Sequence, residues 1–103
     1  MVNGGVGVLI EKVKKLLGDF LHRGKLTALP ASRKKRFVVL KWLACKFPEG
    51  DKIPEKRVNQ IIGRYHEDFA TVRRELVGYG LMKRRAGIYW RTHLASRAAN
   101  PHG

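Results

Sequence analysis

Residues 33–47 read Arg-Lys-Lys-Arg-Phe-Val-Val-Leu-Lys-Trp-Leu-Ala-Cys-Lys-Phe, and this stretch decides how the rest of the chain must pack. At 100° per residue it predicts a helix with two apolar stripes on opposite sides. The first stripe contains Phe37, Leu40, Leu43, Ala44 and Phe47, and the second contains Val38, Trp42 and Cys45. Because both faces need cover, we expect this helix to lie inside the domain or against a partner.

The first turn of this helix is strongly basic, because it contains Arg33, Lys34, Lys35 and Arg36. The N-terminal end of a helix carries a partial positive charge, which makes cations unfavourable there. We therefore expect an anionic group close to these four side chains. A phosphate held by the cations and the free backbone N–H groups would satisfy this expectation, whereas the alternative is a solvated run of charge.

The chain is strongly basic as a whole. It has 103 residues, enough for one domain, and its 44% hydrophobic content is that of a folded protein. The 22 Lys and Arg exceed the 8 Asp and Glu, which gives a net charge of +14 and a pI of about 10.7. The cations cluster in residues 22–25, 33–36 and 83–85, with Arg91 nearby. This pattern favours a nucleic-acid partner, and the alternative is an ordinary basic protein surface.

Cysteine content and hydropathy favour a cytoplasmic protein that does not enter a membrane. The single cysteine, Cys45, excludes an internal disulfide, and its place on an apolar stripe predicts a buried thiol. The apolar run at residues 6–10 is too short for a transmembrane span or a signal-peptide core. A basic amphipathic helix at residues 6–21 could lie on a membrane. Packing is favoured because its polar face also contains Glu11 and Asp19.

The pattern along the chain predicts one mostly helical α+β domain over residues 6–91, between a flexible tail (1–5) and a frayed tail (92–103). An amphipathic helix at 6–21 presents Leu9, Ile10, Val13, Leu16, Leu17, Phe20 and Leu21 on one side. An extended segment at 25–29 precedes Pro30, and Ser32 is the predicted N-cap of the central helix.

The second half of the chain is predicted to hold two helices and a hairpin. A short strand at 52–53 leads into a helix at 54–65, and a second helix runs from its N-cap Asp68 to Tyr79. Gly80 ends that helix, and residues 81–91 form a β-hairpin with glycine at the bend. Of the hairpin aromatics Tyr89 and Trp90, we expect one to pack on the core and the other to be half exposed.

This order of elements over residues 33–91 resembles a winged helix-turn-helix, with an extra helix in front. The resemblance implies that the helix after Asp68 is a recognition helix and that the hairpin is a wing.

Three segments resemble a specific bacterial family more closely. They are Gly-Lys-Leu-Thr-Ala-Leu-Pro at 24–30, Arg-Lys-Lys-Arg at 33–36 with Val-Leu-Lys-Trp-Leu at 39–43, and Tyr-His-Glu-Asp-Phe-Ala-Thr-Val-Arg-Arg-Glu-Leu-Val-Gly-Tyr-Gly-Leu at 65–81. They are similar to a family of uncharacterised small domains that occur alone or fused behind ArsR-type helix-turn-helix regulators. The resemblance implies a link to transcription through the proteins to which these domains are joined.

The predicted recognition helix has a mixed outward face. If Phe69, Val72, Leu76 and Tyr79 point inward, then Ala70, Thr71, Arg74 and Gly78 point outward, with Arg73 at the flank. Arginine can bind guanine through two hydrogen bonds, and small residues let a helix enter a groove. However, Glu67, Asp68 and Glu75 oppose deep insertion, so a capped helix with a solvated Arg–Glu face is an equal alternative.

The predicted wing is better suited to a polyanion, because Lys83, Arg84 and Arg85 surround its bend and Arg91 follows it. The complete set of predicted nucleic-acid contacts is Arg33, Lys34, Lys35, Arg36, Thr71, Arg73, Arg74, Lys83, Arg84, Arg85 and Arg91.

The sequence favours binding over catalysis. The four histidines lack metal-ligand spacing, Cys45 has no neighbouring base, and residues 4–7 lack the lysine of a phosphate loop. We expect no enzyme, metal or cofactor. The leading hypothesis is a double-stranded-DNA-binding protein in transcription regulation. The alternatives are an interaction module that binds a regulator or a second copy through its apolar surfaces, and an RNA-binding protein.

Overall fold

The computed structural model describes residues 3–96 and shows a small α+β domain. Over these residues the chain forms five helices and two small antiparallel sheets. The helices are α1 (Asn3–Phe20), α2 (Arg33–Ala44), α3 (Glu55–Gly63), α4 (Phe69–Gly78) and α5 (His93–Ser96). The strands are β1 (Leu21–His22), β2 (Lys25–Leu26), β3 (Ile53–Pro54), β4 (Met82–Arg85) and β5 (Ile88–Arg91).

The central helix α2 is the most buried element, as its first apolar stripe predicts. Leu40, Leu43 and Ala44 are fully buried, and the turn after the helix also buries Phe47. Ser32 is the N-cap, because its hydroxyl accepts a hydrogen bond from the Lys35 N–H at 3.3 Å. Burial of a large apolar side chain contributes about 1.5–3 kcal/mol, so this stripe is a main source of stability.

The second stripe of α2 is only partly covered. Val38 and Trp42 are half-buried, and Trp42 packs edge-on against Tyr65 with 5.5 Å between ring centroids. The prediction of a buried thiol is wrong, because Cys45 is exposed. The helix ends at Ala44, three residues before its predicted end, and Cys45 becomes its C-cap.

Helix α1 packs against α2. Leu16, Leu17 and Phe20 are half-buried against the core. The helix begins at Asn3, so the predicted tail at 1–5 is corrected for residues 3–5, where an amphipathic helix continues one turn further than expected. Met1 and Val2 lie outside the described residues, as do the side chains of Leu9 and Ile10.

Strands β1 and β2 form a small hairpin that the sequence did not predict. Leu21 pairs with Leu26, and Arg23 and Gly24 form the bend with φ values of 53° and 80°. The buried Leu26 donates its N–H to the Tyr65 carbonyl at 2.6 Å. The hairpin therefore joins the end of α1 to the turn that follows α3.

The second sheet has the order β3-β5-β4. The predicted C-terminal hairpin is confirmed, with Met82 paired to Arg91 and Arg85 paired to Ile88. Its bend consists of Ala86 and Gly87, both with positive φ, which is the twist that two-residue hairpins require. Tyr89 is buried and Trp90 is half-buried, as expected. This order leaves β4 at an edge of the sheet.

Gly80 ends α4, as predicted, through a Schellman motif. Its φ is +74°, a value that glycine adopts without strain. The Gly80 N–H donates to the Val77 carbonyl at 3.0 Å, and the Leu81 N–H donates to the Leu76 carbonyl at 2.9 Å. The chain then turns directly into β4.

The predicted frayed tail at 92–103 is corrected for residues 92–96. The Thr92 N–H donates to the Leu81 carbonyl at 3.1 Å, and its hydroxyl donates to the Gly80 carbonyl at 2.6 Å. The same hydroxyl accepts the Ala95 N–H at 3.4 Å and so caps α5, and Ala95 is fully buried. Residues 97–103 of this predicted tail lie outside the described residues.

None of the helices described here has both the length and the apolar character that crossing a membrane requires.

Candidate nucleic-acid interface

Helix α4 presents most of the outward face that its sequence predicts, although Ala70 is half-buried. Val72 and Leu76 are fully buried, and Thr71, Arg74 and Gly78 are exposed on the other side. Phe69 was predicted to point inward but is 39% exposed. Its position in the helical period is as expected, but it is the first residue of α4, where the neighbouring elements do not cover it fully.

Asp68 is engaged by the N-terminus of α4, as its predicted role as N-cap requires. Its Oδ1 accepts the Thr71 N–H at 3.2 Å, and its own N–H donates to Nδ1 of His66 at 2.9 Å. Hydrogen bonds from the Thr71 side chain and backbone hold the pKa of Asp68 below its ordinary value. The Asp68 carboxylate therefore caps the N-terminus of α4. Because its charge is partly compensated there, the objection that it would repel an anionic partner is weaker.

Glu75 is the anionic group near the first turn of α2. Its Oε1 lies 2.7 Å from Nη1 of Arg36, and Nε of Arg36 donates to the Pro30 carbonyl at 2.8 Å. Glu75 thus points toward α2, where its charge is paired with that of Arg36. The guanidinium of Arg36 is thus held by two partners inside the domain, and its contact with nucleic acid stays a prediction.

Arg73 makes contacts inside the domain, and its contact with nucleic acid stays a prediction. Only 14% of its side chain is exposed, and its Nη1 donates to Oδ1 of Asn59 at 2.5 Å. Its Nε lies 3.8 Å from a carboxylate oxygen of Glu55, and the same oxygen accepts the Tyr89 hydroxyl at 2.8 Å. Arg73 therefore links α4 to α3.

Arg91 likewise makes contacts inside the domain, and its contact with nucleic acid stays a prediction. Its side chain is 11% exposed, and its Nη1 donates to the Phe47 carbonyl at 3.0 Å. Its Nη2 lies 3.8 Å from a carboxylate oxygen of Glu49. Arg91 thus ties the end of the hairpin to the loop after α2.

The remaining predicted cations, except Lys35, lie near the end of α4. An open cleft of about 260 Å³ between α4 and β4 is lined by Arg73, Arg74, Val77, Gly78, Arg84 and Tyr89. A second open cleft of about 530 Å³ between α2 and α4 is lined by Arg33, Lys34, Phe37, Val38, Gly78 and Tyr79. Gly78 lies in both clefts, with Arg74 and Arg84 on one side and two cations of α2 on the other.

The wing cations extend this surface. A third open cleft, about 650 Å³, is lined by Val77, Gly80, Met82, Lys83, Arg84, Arg85 and Trp90. Because Val77 and Arg84 belong to this cleft and also to the cleft between α4 and β4, the three clefts adjoin one another. We call the exposed cations that line them the basic face. Its members are Arg33, Lys34, Arg74, Lys83, Arg84 and Arg85.

Arg33 is held in a defined position on the basic face. Its guanidinium carbon lies 5.0 Å from the centroid of the Tyr79 ring, which stacks on Phe37 with 6.2 Å between centroids. Lys41 covers Phe37 at 4.7 Å from its centroid. This order of cation, ring, ring and cation restricts Arg33 and so lowers the entropy that a ligand contact would cost.

Two predicted contacts stand apart from this arrangement. Lys35 is exposed on the first turn of α2 but lines none of the three clefts. Thr71 is exposed near the start of α4, where its N–H is bonded to Asp68. For both, contact with nucleic acid stays a prediction.

Among the residues that the structure describes, no group of three or more His, Cys, Asp or Glu side chains could hold a metal ion.

Comparison with known proteins places the chain in a bacterial family. The model of a bacterial family, described as "Uncharacterized protein conserved in bacteria (DUF2087)", matches residues 25–91. The chain belongs to this family. The match to DUF2087 confirms the resemblance seen in the sequence, and it runs from β2 to β5, including every element that contributes to the basic face. Helix α1 lies outside the matched region. No curated protein and no solved structure is significantly similar to the chain.

Proposed function

We propose that this protein binds double-stranded DNA through the basic face and acts in transcription regulation. The observation that carries the proposal is the meeting of three separate parts of the chain around the end of α4. These parts are distant in sequence, yet each of them lines at least one of the three adjoining clefts. They are residues 33–34, Arg74 and residues 83–85. A surface of this kind attracts a polyanion through the release of its counterions.

The order of the elements supports a winged-helix interpretation. Helices α2, α3 and α4 are followed by the hairpin β4–β5, and the short strand β3 between α2 and α3 pairs with β5. In a winged helix-turn-helix the third helix and the hairpin share one DNA-binding surface, which would be formed here by α4 and β4. The proposed link to regulators of the ArsR type rests on the sequence resemblance alone.

The distribution of carboxylates also favours the basic face as a binding surface. Within residues 3–96, Glu75, Glu55 and Glu49 form ion pairs with Arg36, Arg73 and Arg91. None of the carboxylates lines the three clefts that define the basic face. An anionic ligand would therefore meet cations there without close repulsion.

The test is a fluorescence-anisotropy titration of a random-sequence duplex at several salt concentrations. If the six cations of the basic face neutralise about six phosphates, log K should fall with log salt at a slope of about −5. Absence of binding at about 50 mM salt would contradict the proposal. Competition by single-stranded and duplex RNA in the same assay tests whether DNA is the preferred partner.

Two double variants test whether DNA binds at the basic face or responds only to net charge. Arg74→Ala with Arg84→Ala should weaken binding at least tenfold and reduce the salt slope by about two, because two phosphate contacts are lost. Lys14→Ala with Lys15→Ala removes the same charge from exposed positions of α1 and should change affinity much less. Equal weakening by both pairs would show that net charge alone drives binding and that the basic face is not a site.

A second candidate function is an interaction module, which one observation favours. Leu94 is 43% exposed, and it lines an open cleft with the half-buried Trp90. Exposed apolar surface of this kind can bind another chain. Sedimentation that shows a monomer up to about 100 μM would exclude self-association through this surface.

A further inference from the structure

Gly78 is a glycine that the fold does not require. It is the last residue of α4, and its φ is not among the positive values that only glycine adopts readily. A Cβ atom built on Gly78 would meet no other part of the described chain within 4 Å. Neither backbone conformation nor internal packing therefore explains the missing side chain.

Glycine at such a position lowers stability, because it loses more backbone freedom on folding than alanine does. Gly80, two residues later, is different, since its φ of +74° makes glycine the suitable residue. The features described for Gly78 also hold for Gly63, so what sets Gly78 apart is its place in two clefts of the basic face, where a ligand could occupy the space above it.

The surroundings of Gly78 indicate what that occupant is. Arg33 and Lys34 line the cleft on one side of this glycine, and Arg74 and Arg84 line the cleft on the other. A chain of phosphates that crossed Gly78 could contact cations on both sides. The carbonyls of Leu76 and Val77 are already bonded by the N–H groups of Leu81 and Gly80, which reduces the repulsion an anion would meet at a helix C-terminus.

We infer that Gly78 is the point at which the sugar–phosphate backbone of DNA approaches the protein most closely. This inference rests on the proposed function, which is DNA binding, and it identifies the residue that the DNA backbone contacts. The bare backbone of α4 at Gly78 lets the phosphates sit low enough to be reached from both sides. Even a methyl group there would lift the DNA backbone away from the flanking cations.

The test measures folding stability and DNA affinity on the same variants. Gly78→Ala should raise the thermal midpoint, because alanine favours the helix, and yet it should weaken duplex binding about threefold and reduce the salt slope by about one. Gly78→Leu should weaken binding about tenfold or more, since the larger side chain displaces more phosphate contacts.

Gly63 offers a matched control. It is the last residue of α3, its φ is also outside the positive range, and a Cβ atom there would also meet nothing within 4 Å. It lines none of the three clefts that define the basic face. Gly63→Ala should raise the thermal midpoint without loss of affinity, and Gly63→Leu should retain binding.

The outcomes separate this inference from the proposed function. If the wild-type protein binds duplex DNA and both Gly78 variants bind equally well, the contact point is wrong while the function stands. If the Gly63 variants lose as much affinity as the Gly78 variants, the inference also fails, because the effect is not local. If the wild-type protein does not bind DNA, both proposals fail.

Discussion

Long basic side chains in this protein have two distinct uses, which the sequence alone does not separate. Arg73 and Arg74 are adjacent, but Arg73 is fixed between Asn59 and Glu55, whereas Arg74 is exposed in a cleft. Their different roles follow from the rotation of about 100° between neighbouring residues of a helix. The sequence predicted most of the outward face correctly. It could not show that Asn59 and Glu55, which precede Arg73 by 14 and 18 residues, would bind its guanidinium.

The partners of Arg36 and Arg91 could not be predicted for the same reason. Arg36 meets Glu75 and Arg91 meets Phe47, which are separated from them by 39 and 44 residues. Only the tertiary fold brings these groups together. The sequence therefore indicated a basic surface, but not which of its cations are free to contact a ligand.

Asp68 should make the stability of the domain depend on pH in the acidic range. Its pKa is lowered in the folded protein, mainly by hydrogen bonds from Thr71, so the folded state binds the proton more weakly than the unfolded state. The stabilisation is therefore complete above the ordinary aspartate pKa of about 4 and is lost as the pH falls through the lowered value.

The variant Asp68→Asn tests this dependence, because asparagine can still cap the helix but does not titrate. We expect the wild-type protein to have the higher thermal midpoint at pH 6 and to lose this advantage as the pH falls below about 4. A difference between the two proteins that stays constant from pH 6 to pH 2.5 would contradict the assignment.

At the scale of elements, the sequence correctly predicted the N-caps of α2 and α4 and the end of α4, but not the end of α2. Ser32 and Asp68 cap α2 and α4, and Gly80 ends α4. These features depend on residues within one turn, so local chemistry determines them. The hairpin of β1 and β2 was missed because its strands have two residues each, too few to show an alternating pattern.

The bend of the C-terminal hairpin contains Ala86, and replacing this residue should increase the stability of the domain. Ala86 has φ of 51°, which is unfavourable for alanine, whereas asparagine is well suited to the first position of such a bend. We expect Ala86→Asn to raise the free energy of unfolding by about 0.5–1 kcal/mol. Urea denaturation measures the change.

A β-branched residue at the same position provides the opposite case. Ala86→Val should lower the free energy of unfolding, because a branched Cβ strongly disfavours positive φ. If both variants destabilise the protein, the bend does not have the geometry described for Ala86 and Gly87.

At the scale of the whole molecule, we expect α1 to unfold together with the rest of the domain, although the family match begins after it. Leu16, Leu17 and Phe20 pack on the core, and the Thr27 N–H donates to the Phe20 carbonyl at 2.9 Å. The sequence predicted this packing from the apolar stripe of the helix. Domain-wide cooperativity follows from a core that all elements share.

Leu17→Ala tests this cooperativity. We expect the free energy of unfolding to fall by about 1–2 kcal/mol, because the leucine is half-buried. The transition should shift as one when followed by circular dichroism and by the fluorescence of Trp42 and Trp90. The exposed Lys15→Ala should change stability by less than about 0.5 kcal/mol. Separate transitions in the two signals would show that α1 unfolds independently.

The edge position of β4 gives its cations a second consequence. An edge strand offers unpaired N–H and C=O groups to any other strand, and this makes it a route to aggregation. Lys83, Arg84 and Arg85 occupy three of the four positions of β4. Two copies that tried to join their sheets at this edge would bring six like charges together. The charges proposed to attract DNA would thus also oppose self-association through β4 when DNA is absent.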